Sequence, residues 1–374
     1  MEYKLIKNTK ETVSVIGQGN GFGNYLAKFS KYSDQHIRAL QYGIDLGMTF
    51  IDTAEEYGMG MGEEIVAKAT KGIRNNIFIS TKVSSDNLKY NDIIKSAEAS
   101  LKRLKTDYID LYQVHWPNPK IPLDETLGAM DCLINSGKVR YFGVCNFTLN
   151  QIKKIEKILT TKKFISTQME YNLIDRTIES SILPYCQEKG LLLIAYSPLV
   201  QGQITGKNEQ KKFLADLALK YNMSIAQLTL VWLISRKNVI TIPHSINKDH
   251  IRQNAESLMF KIDEEDIETI DNFFEPQYKN ILPEDIRVYE KIKGSSTVYK
   301  TIEEARLNRF NMVPSPTELA KDIAQGEVLK PIKVKNSTDS SGRYKYDLIE
   351  GRLRYWAWVI AFNGEKPVPV LVCD

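Results

Sequence analysis

Four residue types that together can move protons stand at the ends of consecutive apolar runs. Phe50-Ile51 ends in Asp52, and Tyr57 follows five positions later, just before Gly58. Ile79-Ser80-Thr81 ends in Lys82, and Val114 is followed by His115. Taken singly, each has a plainer explanation: an aspartate after a strand caps a helix, a tyrosine before glycine fills a turn, and a histidine satisfies a core. An acid, a phenol, an ammonium and an imidazole at three successive strand ends make a proton-transfer set. Later runs also end in polar residues: Asn146, Gln168, Tyr196-Ser197 and His244-Ser245.

The runs that carry these residues are spaced as strands separated by helices. Helical patterning over Asp34–Leu46 leads to a strand at Phe50–Thr53, a helix near Glu63–Ala69 to Ile77–Lys82, and Asn91–Leu104 to Ile109–His115. In the third helix Ile93, Ile94, Ala97, Leu101 and Leu104 share one face. The alternation continues through helix Asp124–Asn135, strand Val139–Cys145, helix Asn150–Leu159 and strand Ile165–Glu170. Helix Ser180–Glu188, strand Leu191–Tyr196, two helical segments between Asn208 and Lys237, and strand Val239–Ile242 complete it. With Val13–Ile16 as the first, there are eight strands, each a short apolar run, as a parallel sheet covered by helices requires. Eight such units in roughly 270 residues predict an α/β fold, a (β/α)8 TIM barrel over residues 1–275 with its site at the C-terminal strand ends. The glycine-rich stretch Gly17–Gly23 resembles part of a dinucleotide fingerprint, but that motif needs a helix opening on its last glycine. The next helix is expected only at Ser33-Asp34, so a doubly wound fold is set aside.

Composition bounds the answer. A chain of 374 residues is long enough for one large domain plus a small one or for two medium ones, and 43% hydrophobic with 26% charged residues is ordinary for a globular protein. No apolar run approaches the roughly 20 residues of a membrane span, and the N-terminus lacks a signal-peptide core. The four cysteines form no pair with metal-like spacing, so no metal is expected and a cytoplasmic location is. A net charge of +4 is too small to imply a nucleic-acid partner.

The motifs are specific enough to carry a resemblance. Phe-Ile-Asp-Thr-Ala-x-x-Tyr-Gly at 50–58, Ser-Thr-Lys at 80–82, Asp-x-Tyr-Gln-Val-His-Trp-Pro at 110–117 and Gly-Val-Cys-Asn-Phe at 143–147 resemble the aldo-keto reductases, as do Gln-x-Glu-Tyr-Asn at 168–172, Ala-Tyr-Ser-Pro-Leu at 195–199 and Ile-Pro-x-Ser at 242–245. The resemblance implies hydride transfer from NADPH or NADH to a carbonyl, an aldehyde or ketone that includes sugars and sugar-nucleotides. Such a reduction also needs a proton for the alkoxide that forms. Tyr57 is then the acid/base. Its phenol ordinarily ionises near ~10, and the Lys82 ammonium beside it is expected to lower that value. Asp52 keeps the lysine charged and aimed, and His115 orients the substrate oxygen. For the cofactor, the resemblance implies that Asn146 and Gln168 hold the nicotinamide carboxamide, that Tyr196 stacks on the ring, and that Ser197-Pro198-Leu199 lies along the pyrophosphate. Gly19 and Asn20 line the opening, and Cys145 stands where the family usually has serine. Members that prefer NADPH often carry Lys-Ser and then an arginine, whereas this chain has His244-Ser245, His250 and Asn254. Permanent charges are replaced by conditional ones, which implies weakened discrimination for NADPH and use of NADH.

The remaining residues, 276–374, are too long and too structured for a tail. Ser315-Pro316-Thr317-Glu318 is a capping box with proline at the first helical position, and the helix presents Leu319 and Ile323 and stops at Gly326. The segment Leu329-Lys330-Pro331-Ile332-Lys333-Val334, a polar loop through Ser337–Gly342, a strand over Tyr344–Ile349, a helix opened by Glu350-Gly351-Arg352-Leu353-Arg354 with Leu353, Trp356 and Ile360 inward, and a last strand Val368–Val372 follow. This order resembles the small α+β N-terminal domain of ParB partition proteins and the related sulfiredoxin fold. That resemblance implies a second nucleotide, with Arg352 and Arg354 on its phosphates and Glu350 near a metal or a proton; a scaffold with a solvated helix start is the other reading. DNA is not expected as a partner, because no helix-turn-helix follows and the charge is close to balanced, and the sulfiredoxin cysteine is absent. A nucleotide-binding or phosphotransfer protein acting through residues 276–374, with the barrel as its scaffold, is the second functional reading. Oligomeric state is open.

Overall fold

A computed structural model of the chain describes all residues except 22–25, 160, 162, 203–207, 277, 289–298, 313, 327–329 and 374, together with the side chains of 26–32, 201 and 208. Phe22-Gly23 of the glycine-rich stretch and Leu329 of the Leu-x-Pro-Ile-x-Val segment therefore lie outside the described residues. Two compact units result: Met1–Pro117, Ile121–Phe147 and Gln151–Phe274 make up one, and Asn118–Lys120, Thr148–Asn150 and Glu275–Asp374 the other. Among the described residues no single helix is long and apolar enough to cross a membrane.

The first unit opens with an antiparallel hairpin of β1 (Tyr3–Leu5) and β2 (Thr12–Ser14). Eight parallel strands follow: β3 (Gln18–Gly19), β4 (Phe50–Asp52), β5 (Phe78–Val83), β6 (Ile109–Val114), β7 (Val139–Cys145), β8 (Phe164–Glu170), β9 (Leu192–Tyr196) and β10 (Val239–Thr241). They pair strictly in chain order, and the circle is completed by a parallel bridge between Ile16 and Thr241, with Gly17 N–H donating to Thr241 O at 2.8 Å. Helices α1 (Leu26–Asp45), α2 (Met61–Ala69), α3 (Tyr90–Leu104), α4 (Leu123–Asn135), α5 (Leu149–Ile158), α6 (Ile182–Lys189), α7 (Asn208–Lys220) and α8 (Ile225–Ile234) connect the strands, and α9 (Lys248–Glu256) and α10 (Glu264–Phe273) follow the last one.

Three expectations need correction. The apolar run Val13–Ile16 is not the first barrel strand: it straddles the hairpin and the barrel, so both share one continuous buried stretch. The hairpin closes the N-terminal end of the barrel. Ile6 and Val13 pack with Phe50, Phe78, Leu111, Tyr141 and Leu192, which lie in the lower half of their strands, and the Lys4 ammonium donates to the carbonyls of Ile234, Arg236 and Val239. Helix α1 begins at Leu26 rather than Ser33, so a late helix start does not exclude a dinucleotide fingerprint; the unbroken strand order of the barrel does. Strand interiors also alternate more than an all-apolar reading allowed. Ser80, Gln113, Ser166 and Gln168 are all buried within the sheet.

The second unit holds one mixed sheet in the order β11 (Tyr278–Ile281), β15 (Val368–Val372), β13 (Ile332–Asn336), β14 (Tyr346–Glu350), β12 (Ile286–Arg287). Helices α11 (Ile302–Arg306), α12 (Pro316–Ala324) and α13 (Arg352–Ala361) complete it. The capping box at Ser315 and Glu318 forms, and Trp356 and Val359 pack with Ile332, Val334, Leu348 and Val370 as its core. Leu353 and Ile360 are only partly buried against that core. Strands β11 and β12 were not legible, since each is short and largely exposed or flanked by polar residues. Glu350 ends β14 instead of opening α13, which starts behind Gly351 in a left-handed conformation at φ 94°.

One buried charge ties the barrel's catalytic strand to its helices. Glu63 on α2 is fully buried, accepts from Thr81 Oγ1 of β5 at 2.6 Å and pairs with Arg103 of α3 at 2.6 Å. Removing only the cation leaves a carboxylate without its counter-charge. Arg103→Met is expected to destabilise the protein by about 3 kcal/mol in denaturant titration, and Glu63→Gln added to it is expected to restore part of that loss.

Candidate active site

Side chains on a strand alternate faces with period two. On β5 this puts Phe78, Ser80 and Lys82 inward in rising order, and on β4 it puts Phe50 and then Asp52 inward. The upper layer of the interior is consequently polar. Lys82 has no solvent exposure; its Nζ lies 2.5 Å from Asp52 Oδ2 and donates to Thr53 O at 2.8 Å. Asp52 Oδ1 accepts from Ser80 Oγ and from Gln168 Nε2, each at 2.9 Å, and Gln113 Nε2 donates to Ser80 Oγ at 2.9 Å. Burial works against the lysine's charge, yet Asp52 beside it holds the ammonium above the ordinary lysine range.

Tyr57 hangs from the turn after β4. Its ring centroid lies 5.1 Å from Lys82 Nζ and 5.7 Å from the His115 ring, which meets it edge-on at 79°. The turn is closed by Gly60 at φ 93° and by Asn20, whose amide donates to Gly62 O at 2.8 Å. Gly21 packs against the phenol so closely that a Cβ there would sit 2.9 Å from the ring. Lys82 acts on the Tyr57 ionisation in the expected direction, but it is not the largest influence there. Burial outweighs the lysine, and Asp52 and Cys145 add to burial, so the phenol lies above its ordinary value. A proton is therefore loaded on Tyr57 across the whole neutral range, which is the form a proton donor needs.

His115 follows β6, with its backbone N–H donating to Val83 O at 3.0 Å. Its Nδ1 lies 2.6 Å from Glu56 Oε2, a contact that the spacing did not foretell. Glu56 also accepts from Ser84 Oγ at 3.0 Å, and the His115 contact holds its carboxyl below the ordinary glutamate range. Glu55 accepts from Ser84 N at 2.7 Å and Asn87 Nδ2 at 3.0 Å. These two carboxylates occupied the variable positions of the tyrosine motif; their adjacency to the acid was the available signal. Trp116, half exposed beside His115, is a second residue the sequence reading passed over.

The residues considered for the cofactor fall into two groups. Asn146 ends β7 in a left-handed conformation at φ 63°, with its amide nitrogen donating to His115 O at 3.2 Å and Cys145 Sγ at 3.1 Å, while Tyr196 OH donates to its Oδ1 at 2.9 Å. Both amide hydrogens are thus engaged within the protein, leaving one acceptor lone pair; Gln168 keeps one hydrogen and one lone pair spare. That donor and acceptor set fits a carboxamide. Cys145 is a neutral thiol, since burial pushes its ionisation far up. Tyr196 packs partly on the barrel core, Ser197 is left-handed at φ 50°, Pro198 is buried, and Leu199 packs in the cluster of Ile16, Ala39 and Met48. The second group lines one cleft, where Gly19, Asn20, His244, Ser245 and Asn254 meet Gln18 and His36. At Gly19 a Cβ would lie 2.8 Å from Ile242 O, so the strand wall there is bare backbone. The His36 and His244 rings stack at 5.7 Å, and burial pulls both down to about 4. His250 is exposed on α9 and does not line the cleft.

In the second unit the three phosphate candidates separate. Arg354 Nη1 donates to Lys330 O at 2.6 Å and Pro331 O at 2.9 Å, which fixes it as a structural tie. Glu350 pairs with Lys333 at 2.9 Å and with Arg354 at 3.4 Å. Only Arg352, at the start of α13, has buried Nε and Nη2 atoms with no hydrogen-bond partner among the described residues.

The aldo/keto reductase family model matches residues 19–275. Methylglyoxal reductase YeaE of Escherichia coli (strain K12) is 33% identical over 276 residues, covering 73% of this chain and 96% of that protein. Glyoxal reductase of Bacillus subtilis (strain 168) is 33% identical over 251 residues, covering 67% and 87%. Among solved structures, an aldo-keto reductase from Klebsiella pneumoniae in complex with NADPH is similar at a TM-score of 0.68 and 32% identity, covering 74% of this chain and 97% of that one. An eight-stranded barrel with a buried Asp–Lys pair beneath a tyrosine, matched over most of its length by such relatives, leads to one conclusion: the chain belongs to the aldo/keto reductase family and is an NAD(P)H-dependent oxidoreductase.

Proposed function

We propose that the barrel reduces a small aldehyde or ketone, with Tyr57 as the proton donor. Short dicarbonyls of the kind named for its relatives and open-chain sugars are the substrates to try first. The observation that carries this reading is Lys82, fully buried between Asp52 and the Tyr57 ring; a barrel kept only for binding has no need of a buried ammonium there. Asn146 and Gln168 would hold the carboxamide of the nicotinamide, Tyr196 its ring, and Ser197-Pro198-Leu199 with Gly19-Asn20 the rest of the dinucleotide. When bound, the nicotinamide supplies the hydride. The Tyr57 hydroxyl gives its proton to the oxygen of the reduced carbonyl, and the phenolate left behind is stabilised by Lys82, which Asp52 keeps charged and in place. His115, edge-on to the Tyr57 ring, would hydrogen-bond the same oxygen, and Trp116 would offer an apolar wall beside it. Four free cysteines suit a reducing compartment such as the cytosol.

Cofactor preference follows from the cleft. Among its described lining residues there is no lysine or arginine, and with both histidines pulled down to about 4 it is neutral at pH 7. Nothing there answers a 2′-phosphate with a charge, which favours use of NADH.

Among the described residues of the C-terminal unit, Arg352, with buried Nε and Nη2 atoms that lack partners, is the candidate for a second ligand. The family match stops at residue 275, and the likeness of residues 276–374 to ParB N-terminal domains rests on the order of their elements. We propose that Arg352, beside Gly351 at the start of α13, takes a nucleotide phosphate, with Arg354 and Glu350 shaping the turn behind it.

Three outcomes are expected. Tyr57→Phe lowers kcat for aldehyde reduction at least about a hundredfold while leaving dinucleotide affinity unchanged by fluorescence titration, and the wild-type rate shows no alkaline loss from Tyr57 at neutral pH because its phenol lies above the usual 10. Wild-type preference for NADPH over NADH is below about a hundredfold at pH 8, and His244→Lys raises NADPH affinity about tenfold or more relative to NADH, the worth of one charge-assisted bond. Calorimetric titration of the full chain with CTP shows millimolar or tighter binding that Arg352→Ala abolishes; no CTP binding removes the phosphate site.

A further inference from the structure

Glu56 is the residue immediately before the acid Tyr57, and nothing in the proton-transfer set requires a carboxylate there. Its geometry is nevertheless fixed. Oε2 lies 2.6 Å from His115 Nδ1, and Oε1 accepts from Ser84 Oγ at 3.0 Å. Its side chain keeps 36% exposure while that of His115 keeps 13%, so the carboxylate lies against the imidazole, in a contact too poorly aligned for a hydrogen bond, is held by Ser84 Oγ and is open to solvent on the other side. Lys82 and Asp52 are buried and paired with each other, while the Glu55 carboxylate accepts from the backbone N–H of the same Ser84. Contact with His115 and the field of Lys82 keep Glu56 ionised through the neutral range, against its partial burial. An oxygen hydrogen-bonded to the far nitrogen of the His115 ring would lie about 7 Å from this charge, from ordinary ring and hydrogen-bond dimensions.

We propose that Glu56 is a specificity-determining residue of this site, a fixed negative charge at the mouth that disfavours carbonyl substrates bearing a carboxylate or phosphate and selects uncharged aldehydes and ketones. The proposal rests on the reading of the barrel as a carbonyl reductase. At about 7 Å, one unit of like charge weakens binding roughly threefold if fully screened by water and roughly fiftyfold at the dielectric of a protein surface. Simple α-oxo acids and phosphorylated sugars therefore belong to the rejected class, whereas unsubstituted dicarbonyls, hydroxyaldehydes and neutral aromatic aldehydes belong to the accepted one.

The test uses two aldehydes whose carboxyl group adjoins the carbonyl, glyoxylate and its neutral methyl ester, with the full chain at saturating cofactor and pH 8. The wild type is expected to show the higher KM for the acid, and Glu56→Gln to shift the ratio of the two KM values at least about threefold in favour of the acid, whatever happens to kcat. A measurement that needs no variant backs it: added salt lowers the wild-type KM for the acid and leaves that for the ester unchanged. A KM ratio unmoved by both the substitution and salt, in an enzyme that turns over either aldehyde, overturns the role of Glu56 alone. A wild type that reduces neither aldehyde with NADPH or NADH overturns the reductase reading and this inference with it.

Discussion

A lysine with no solvent exposure is the constraint around which the barrel is built. An ammonium removed from water costs several kcal/mol unless its charge and its hydrogens are answered. Lys82 is answered by Asp52 and Thr53 O, but that transfers the problem to Asp52, itself buried. Ser80 and Gln168 therefore donate to Asp52, and Gln113 donates to Ser80. Four adjacent or facing strands each contribute to one connected polar layer, and none of those residues is free to become apolar without leaving another unsatisfied. A hydrophobic layer would serve stability as well or better, so the layer is retained for what it does above it, holding a charge against the Tyr57 ring.

The same geometry explains why the site sits at one end only. Inward positions near the strand N-termini are apolar and are covered by the β1–β2 hairpin through Ile6 and Val13. Inward positions near the C-termini are polar and continue into turns that cross-link one another. Glu55 reaches the loop after β5, Glu56 reaches the residue after β6, Asn146 reaches His115 O, and Tyr196 reaches Asn146. Left-handed backbone at Asn146 and Ser197, a conformation that L side chains adopt sparingly, appears at two of these strand ends. Proton donor, tuner and orienting ring are thus held by a ring of contacts between neighbouring loops. No single loop is independent of the next.

Much of this was legible because barrels repeat. Strands β4 to β10 and the helices between them follow from apolar runs of strand length alternating with helical periodicity, and their ends agree with that reading to within a residue or two, Val139–Cys145 matching fully. The start was misread where one apolar run, Val13–Ile16, serves two sheets, because periodicity cannot show where a buried chain changes partners. Strands β11 and β12 were missed because an edge strand with little burial carries no apolar pattern.

The residue types and their order determined the chemistry on offer: a phenol, an ammonium and an acid near strand ends, with an imidazole one strand further on. Those follow from local spacing, since a strand end in a parallel barrel points toward the axis whatever the rest of the chain does. Only the tertiary structure decided how the groups act on one another. It gave burial the upper hand over Lys82 at Tyr57, drew His36 and His244 into one neutral stack, tied Arg354 to backbone carbonyls and set Glu56 against His115. Each of these is a balance of desolvation, charge and hydrogen bonding between residues remote in sequence or on different loops. Such a balance depends on distances of a few ångströms that no spacing along the chain contains.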